Sequence, residues 1–172
     1  MSARAPVRIA RATQEDVPLI LTFIRELAEY EKLLDNVSTT EERLHATLFG
    51  PRPYAEAILA YENDQPVAFA IYFFDYSTFV GLPGIYLEDI YVKPEYRGFG
   101  IGRELLRFLA QTAIELGCER IEWSVLNWNE SAIRFYEKLG AKPMNDWIVF
   151  RLANNYLHRV ASENLGLETK TS

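Results

Sequence analysis

Residues 86–102 read Tyr86-Leu87-Glu88-Asp89-Ile90-Tyr91-Val92-Lys93-Pro94-Glu95-Tyr96-Arg97-Gly98-Phe99-Gly100-Ile101-Gly102, and this stretch decides the fold class. Its β-branched and aromatic residues describe a strand running to Lys93-Pro94; a short link, a glycine loop and the first turn of a helix follow. A strand-to-helix junction presents backbone N–H groups with no partner inside the helix. The helix dipole adds roughly half a positive charge there, so the junction suits a pyrophosphate. Glycines at 98, 100 and 102 let a ligand approach the backbone closely, and Arg97 and Arg103 can reinforce the charge. A nucleotide-hydrolase loop would end in Gly-Lys-Ser/Thr, which Gly102-Arg103-Glu104 does not supply. A dinucleotide fingerprint needs Gly-x-Gly-x-x-Gly near the start of a regular βαβ unit, whereas this loop is Gly-x-Gly-x-Gly and lies mid-chain. Glycines serving only a tight turn remain the plain alternative.

Downstream, a helix from about Gly102 to Leu116 places Leu105, Leu106, Leu109, Ala113 and Leu116 on one face, with Gly117 to close it. Ile121, Trp123 and Val125 alternate as a half-buried strand. Ser131 can cap a further helix in which Ala132, Phe135, Tyr136 and Leu139 share a face and Gly140 is the stop. Trp147 to Leu152 supplies a last strand.

Upstream, Ala55–Tyr61 and Pro66–Tyr76 form a hairpin around Glu62-Asn63-Asp64-Gln65, and Gly81, Pro83 and Gly84 separate it from the strand Ile85–Val92. Val7 to Ala10 reads as a short strand. A helix follows from about Gln14 to Leu33, its start left open between Thr13 and Asp16 by Pro18. Thr39 or Thr40 caps a second helix that Gly50-Pro51 ends. The order predicts an α/β fold with a mixed, mostly antiparallel central sheet flanked by helices.

The chain has 172 residues and is 49% hydrophobic, enough for one sizeable core, so a single domain over 1–172 is expected, with a flexible tail from about residue 162. Its formal charge of −6 argues against a general nucleic-acid binder and suits a cationic partner, although acidity that only keeps the chain soluble reads equally from the composition. Cys118 is the only cysteine, which excludes an internal disulfide, and His45 and His158 share no ligand-like spacing, so no metal site is expected. No stretch has the length of a membrane helix, and Met1 to Arg8 lacks the apolar core of a secretory leader. Both point to a cytoplasmic protein without a membrane partner.

Arg97-Gly98-Phe99-Gly100-Ile101-Gly102 resembles the Arg/Gln-x-x-Gly-x-Gly/Ala loop that binds the pyrophosphate of acetyl-CoA in the GNAT acetyltransferases. The similarity extends to Tyr86–Val92 and to Trp128-Asn129-Glu130-Ser131-Ala132-Ile133-Arg134-Phe135-Tyr136, which look like the spermidine/spermine (diamine) and thialysine acetyltransferase branch. The resemblance implies a GNAT fold and an N-acetyltransferase that moves the acetyl group of acetyl-CoA onto a small primary amine in a ternary complex. It implies that Ile90, Tyr91 and Val92 hold the pantetheine through their backbone. The loop residues Arg97 to Arg103 and then Asn129, Ser131 and Ala132 complete the cofactor contacts. It also implies that Tyr136 protonates the departing thiolate, that Glu88 assists removal of the amine proton, and that Tyr30, Glu31, Glu88, Asp89 and Phe79 face the amine.

The residues alone leave several of these roles open. Tyr136 on an apolar helical face reads also as core, Asn129 as a helix-entry residue, and Glu29 with Glu31 as a solvated helix face. Glu88 and Asp89 alternate on an otherwise apolar strand, so one of them points where charge is costly unless it is paired or used. A homodimer built on the carboxy-terminal segment is implied by the branch; Trp147, Phe150 and Tyr156 could serve it or be core. Polyamine enzymes carry an Asp-x-Trp-like element before this strand, where the chain has Ser77-Thr78-Phe79. The missing carboxylate counts against spermidine and spermine and points to a shorter amine such as a diamine, thialysine or another amino acid. Transfer to protein amino groups and a non-catalytic acyl-CoA-binding module are the competing functions.

Overall fold

Asn63 and Asp64 both take left-handed backbone angles, φ 48° and 59°, the geometry that closes a two-residue hairpin between twisted strands. They join β2 (Glu56–Glu62) to β3 (Gln65–Ser77), so the turn is two residues tighter than the sequence suggests. A computed structural model of the chain describes residues 6–162; the expected flexible tail lies almost wholly outside the described residues. The chain divides into two compact units, Met1–Ser124 and Val125–Ser172.

The first unit holds a five-stranded sheet in the order β1-β2-β3-β4-β5, with β1 at Arg8–Arg11, β4 at Leu82–Val92 and β5 at Ile121–Trp123. The pairs from β1 to β4 are antiparallel and β4–β5 is parallel, which is the mixed sheet expected. Strand β4 begins at Leu82 and runs through Pro83 and Gly84 rather than starting after them. Gly84 fits because it faces Asp75: a Cβ there would sit 2.3 Å from a carboxylate oxygen of Asp75.

Helix α1 (Val17–Tyr30) follows a 3-10 turn at Gln14–Asp16, and the Thr13 N–H donates to Asp16 at 2.8 Å. Pro18 sits in its first turn, where its missing N–H is not needed. Helix α2 spans Glu41–Leu48, capped by the Thr40 hydroxyl, which accepts from Arg43 N–H at 3.3 Å. Ile20, Phe23 and Leu27 of α1 pack on Leu59, Phe69, Ile71 and Tyr91 of the sheet. Phe23 and Phe69 stack at 5.3 Å between ring centroids, and neither ring is exposed. Each such ring contributes about 1.5–3 kcal/mol over an exposed one. Helix α3 (Ile101–Glu115) packs on β3 and β4 with Leu105 and Leu109 fully buried.

One irregularity matters for function. Ile71 pairs with Asp89 while its neighbour Tyr72 pairs with Leu87, so Glu88 is an extra residue in β4, a β-bulge. Leu87 and Asp89, two positions apart, thereby fall on opposite faces, and Asp89 joins the α1 side with Ile71. The simple alternation assumed for Glu88 and Asp89 does not hold here.

The second unit contains α4 (Glu130–Lys138) and α5 (Asn155–Ser162). Asn129, not Ser131, caps α4: its side-chain oxygen accepts from Ala132 N–H at 3.3 Å. The strand expected at Trp147–Leu152 is absent, because no strand pairs with that segment among the described residues and a strand needs a ladder partner. Ile148, Val149 and Phe150 are instead exposed, which also removes a core role for Phe150. Val125 likewise lies outside β5.

Candidate active site

The backbone between β4 and α3 is shaped by Gly98 and Gly100, whose φ angles of 80° and 86° would cost a non-glycine residue roughly 1–2 kcal/mol each. A Cβ at either position would meet nothing within 4 Å, so conformation rather than crowding requires glycine. Gly100 is the N-cap of α3, and the first helical bond runs from Glu104 N–H to the Gly100 carbonyl at 3.0 Å. The N–H groups of Ile101, Gly102 and Arg103 therefore precede the helical ladder and point out of its positive end. Arg103 is exposed beside them, and Phe99 is 62% exposed on the loop. The junction has the strand, glycine loop and helix start that the sequence describes, and outward N–H groups of this kind suit an anion.

Strand β4 also offers an open edge. Its parallel pairing with β5 stops at Leu87 opposite Trp123, so from Glu88 to Val92 that edge has no strand partner among the described residues. Ile90, Tyr91 and Val92 pair with β3 on the other side, and the Val92 carbonyl also accepts from the Arg97 Nε–H at 2.8 Å. An extended amide-bearing ligand could add to this edge as a further strand would.

On the α1 side, the bulge gathers three carboxylates. Asp89 is largely buried, and burial, followed by the charges of Glu88 and then Glu31, pushes its carboxyl from 3.8 up to about 6. Glu31, just past the end of α1, is half-buried and its carboxyl is also raised by burial. Glu88 is exposed. Among the described residues none of the three has a basic side chain within 4.0 Å. Carboxylates without cations attract an ammonium group, and one kept near neutrality can exchange a proton with it.

Tyr30 closes α1 next to Glu31, with the Arg97 guanidinium carbon 4.3 Å from its ring centroid. The structure thus brings together Tyr30, Glu31, Glu88, Asp89 and Arg97. Phe79 stands apart: it is 95% exposed in the turn before Leu82, at the opposite end of β4 from Val92. In the second unit, Asn129, Ser131 and Ala132 form the entry of α4 and Tyr136 is half-buried on that helix, its ring 5.3 Å from that of Phe135. The Arg97 contact and the bulge were not foreseen; neither has a local sequence signal, since one joins residues far apart in the chain and the other is a matter of register.

The profile described as Acetyltransferase (GNAT) family matches residues 22–141. A thialysine N-epsilon-acetyltransferase of Sus scrofa is 41% identical over 170 residues, spanning 92% of this chain and 99% of that protein. An L-ornithine N5-acetyltransferase of Arabidopsis thaliana is 31% identical over 203 residues, spanning 92% of this chain and 89% of that protein. Among solved structures, an integron cassette protein from the mobile metagenome of V. cholerae superposes with a TM-score of 0.76 at 27% identity, covering 91% of this chain and 98% of that one.

Asp89 yields a prediction on stability. Its carboxyl holds a proton more tightly folded than unfolded, so its contribution is fully present below about pH 3.8 and is lost as pH rises through about 6. Asp89→Asn should raise the thermal unfolding midpoint over the parent at pH 8, and the difference should shrink on acidification towards pH 4. A difference that does not change with pH would show that Asp89 is ionised without penalty in the folded chain.

Proposed function

The chain belongs to the acetyltransferase (GNAT) family, and on that premise we propose that it transfers the acetyl group of acetyl-CoA directly to a primary amine of a small diamine or amino acid, thialysine and ornithine being the nearest chemical types. The observation that carries this reading is the cluster of Asp89, Glu88 and Glu31, which have no basic side chain within 4.0 Å among the described residues, on the strand that leads into the β4–α3 junction and the helix end beside it. The relatives' substrates support it, since thialysine and ornithine each present a second charged group a few bonds from the reacting amine. The family match runs through residue 124, and on that ground both units are taken as parts of one acetyltransferase domain.

Acetyl-CoA supplies an activated thioester carbonyl, and the remaining chemistry falls to the chain. The N–H groups of Ile101, Gly102 and Arg103, with the loop backbone from Gly98 to Gly100, fix the pyrophosphate. The open edge at Ile90, Tyr91 and Val92 aligns the pantetheine arm, and Asn129, Ser131 and Ala132 complete its contacts. Asp89 and Glu31 hold the substrate's ammonium groups. Glu88, at the exposed bulge position, takes the proton of the reacting amine through water, because only a neutral amine has the lone pair to attack. Tyr136 donates its phenolic proton to the departing sulfur; a phenol with an ordinary pKa near 10 stays protonated at neutral pH and so can donate. No acetyl-enzyme is formed, since the amine attacks directly.

Two experiments test the reading. Free coenzyme A release should be measured with putrescine, spermidine, spermine, lysine, thialysine, ornithine, an aminoglycoside and a histone-like peptide. Release is expected with the short diamines or amino acids and to fall with spermine; release with the peptide alone would replace the small-amine reading by protein acetylation. Tyr136→Phe should lower kcat by roughly a hundredfold with acetyl-CoA affinity nearly unchanged. Unchanged turnover would remove Tyr136 as the acid.

A further inference from the structure

Arg97 opens the glycine loop, and its charge is naturally read as a phosphate ligand. Its contacts say otherwise. Its Nε–H donates to the Val92 carbonyl at 2.8 Å, which fixes the guanidinium against the end of β4. The face of the group is then occupied: its central carbon lies 4.3 Å from the ring centroid of Tyr30 and 5.4 Å from that of Tyr91. Tyr91 is core, 6% exposed, whereas Tyr30 is the last residue of α1 and is 36% exposed. The guanidinium is therefore sandwiched between the strand that carries Glu88 and Asp89 and the helix end that carries Glu31.

We propose that the Arg97 side chain is a positioning residue for the amine site, clamping the end of α1 to β4 so that Tyr30 and Glu31 stand opposite Asp89. The proposal rests on the amine-transfer reading above. The need for such a clamp follows from electrostatics. The charges of Glu88 and Glu31 each disfavour an ionised Asp89, and no basic side chain lies within 4.0 Å of any of the three among the described residues. The helix end turns sharply: α1 stops at Tyr30, Lys32 takes a left-handed φ of 60° that is costly for a residue other than glycine, and the turn is closed by Lys32 N–H to the Glu29 carbonyl at 3.1 Å and Leu33 N–H to the Ala28 carbonyl at 2.8 Å. Repulsion would swing this end away from β4. A cation stacked on Tyr30 and tied to Val92 opposes that movement. Arginine suits the task where lysine does not, because only a planar guanidinium can stack on a ring and donate in its own plane.

The test compares Arg97→Lys, Tyr30→Leu and Tyr30→Phe with the parent. At saturating acetyl-CoA, Arg97→Lys and Tyr30→Leu should each raise the amine KM by about tenfold, and the double variant should be no worse than either alone. Acetyl-CoA affinity, measured by calorimetry without amine, should change by less than about threefold. Tyr30→Phe keeps the ring and should raise the amine KM clearly less than Tyr30→Leu does. A loss of acetyl-CoA affinity in Arg97→Lys with the amine KM unchanged would make Arg97 a phosphate ligand and overturn the proposal, as would a Tyr30→Phe variant as impaired as Tyr30→Leu. Amide hydrogen exchange provides a readout that needs no substrate: in Arg97→Lys the Leu33 amide should exchange about tenfold faster while the middle of α3 is unaffected. Unchanged protection at Leu33 would overturn the clamp whether or not the chain turns over any amine, whereas faster exchange in a chain inactive on every amine would leave the clamp standing and remove the amine-transfer reading.

Discussion

The positive end of α3 is the constraint around which the rest is arranged. Three backbone N–H groups, those of Ile101, Gly102 and Arg103, leave the helix with no internal partner. Two left-handed glycines turn the chain so that these groups face outward instead of being covered by the loop that delivers them. A buried set of such donors would be costly, and an exposed set is a standing site for an anion. The helix is held in place by Leu105 and Leu109 on the sheet, so the site stands on a rigid element and depends little on loop motion.

The second arrangement is the bulge at Glu88. A regular strand would have placed Leu87 and Asp89 on one face, leaving Asp89 against α3. The extra residue sends Asp89 to the α1 side, where it feels the charge of Glu31 and, among the described residues, no basic side chain lies within 4.0 Å of it. Burying that carboxyl costs stability at neutral pH, a cost with no structural return that the contacts reveal. Its return is functional in the proposed reaction, where an ammonium group would supply the missing charge. In the proposed reaction strand β4 would serve both ends of the chemistry, its edge the acyl carrier and its bulge the amine.

The sheet and its helices were legible because their signals are local. Periodicity marked α1 and α3, Asn63-Asp64 marked the hairpin, and Thr40 marked the start of α2. The turn from Arg97 to Gly102 into α3 was legible because glycine spacing and the helix start lie in one short run. Pairing was less legible. Trp147 to Leu152 has the composition of a strand, yet composition does not supply a partner, and the segment stays unpaired among the described residues. Ser131 looked like a cap because serine suits that position, but Asn129 two residues earlier reached the Ala132 N–H first. Which of Glu88 and Asp89 is buried could not be read at all, since a bulge is fixed by the neighbouring strand. Phe79 was grouped with the amine site by family pattern; it lies in the turn before Leu82, where β4 starts, and Glu88 and Asp89 lie in the middle of that strand.

The most direct measurement compares, by calorimetry, the affinity of the chain for acetyl-CoA and for S-acetylpantetheine, which keeps the thioester and the amide arm but has no pyrophosphate. Charge-assisted bonds from the three α3 N–H groups predict that acetyl-CoA binds at least roughly a hundredfold more tightly. Equal affinities would mean that the positive end of α3 holds no pyrophosphate, and the assignment of this junction as the acyl-donor site would be wrong.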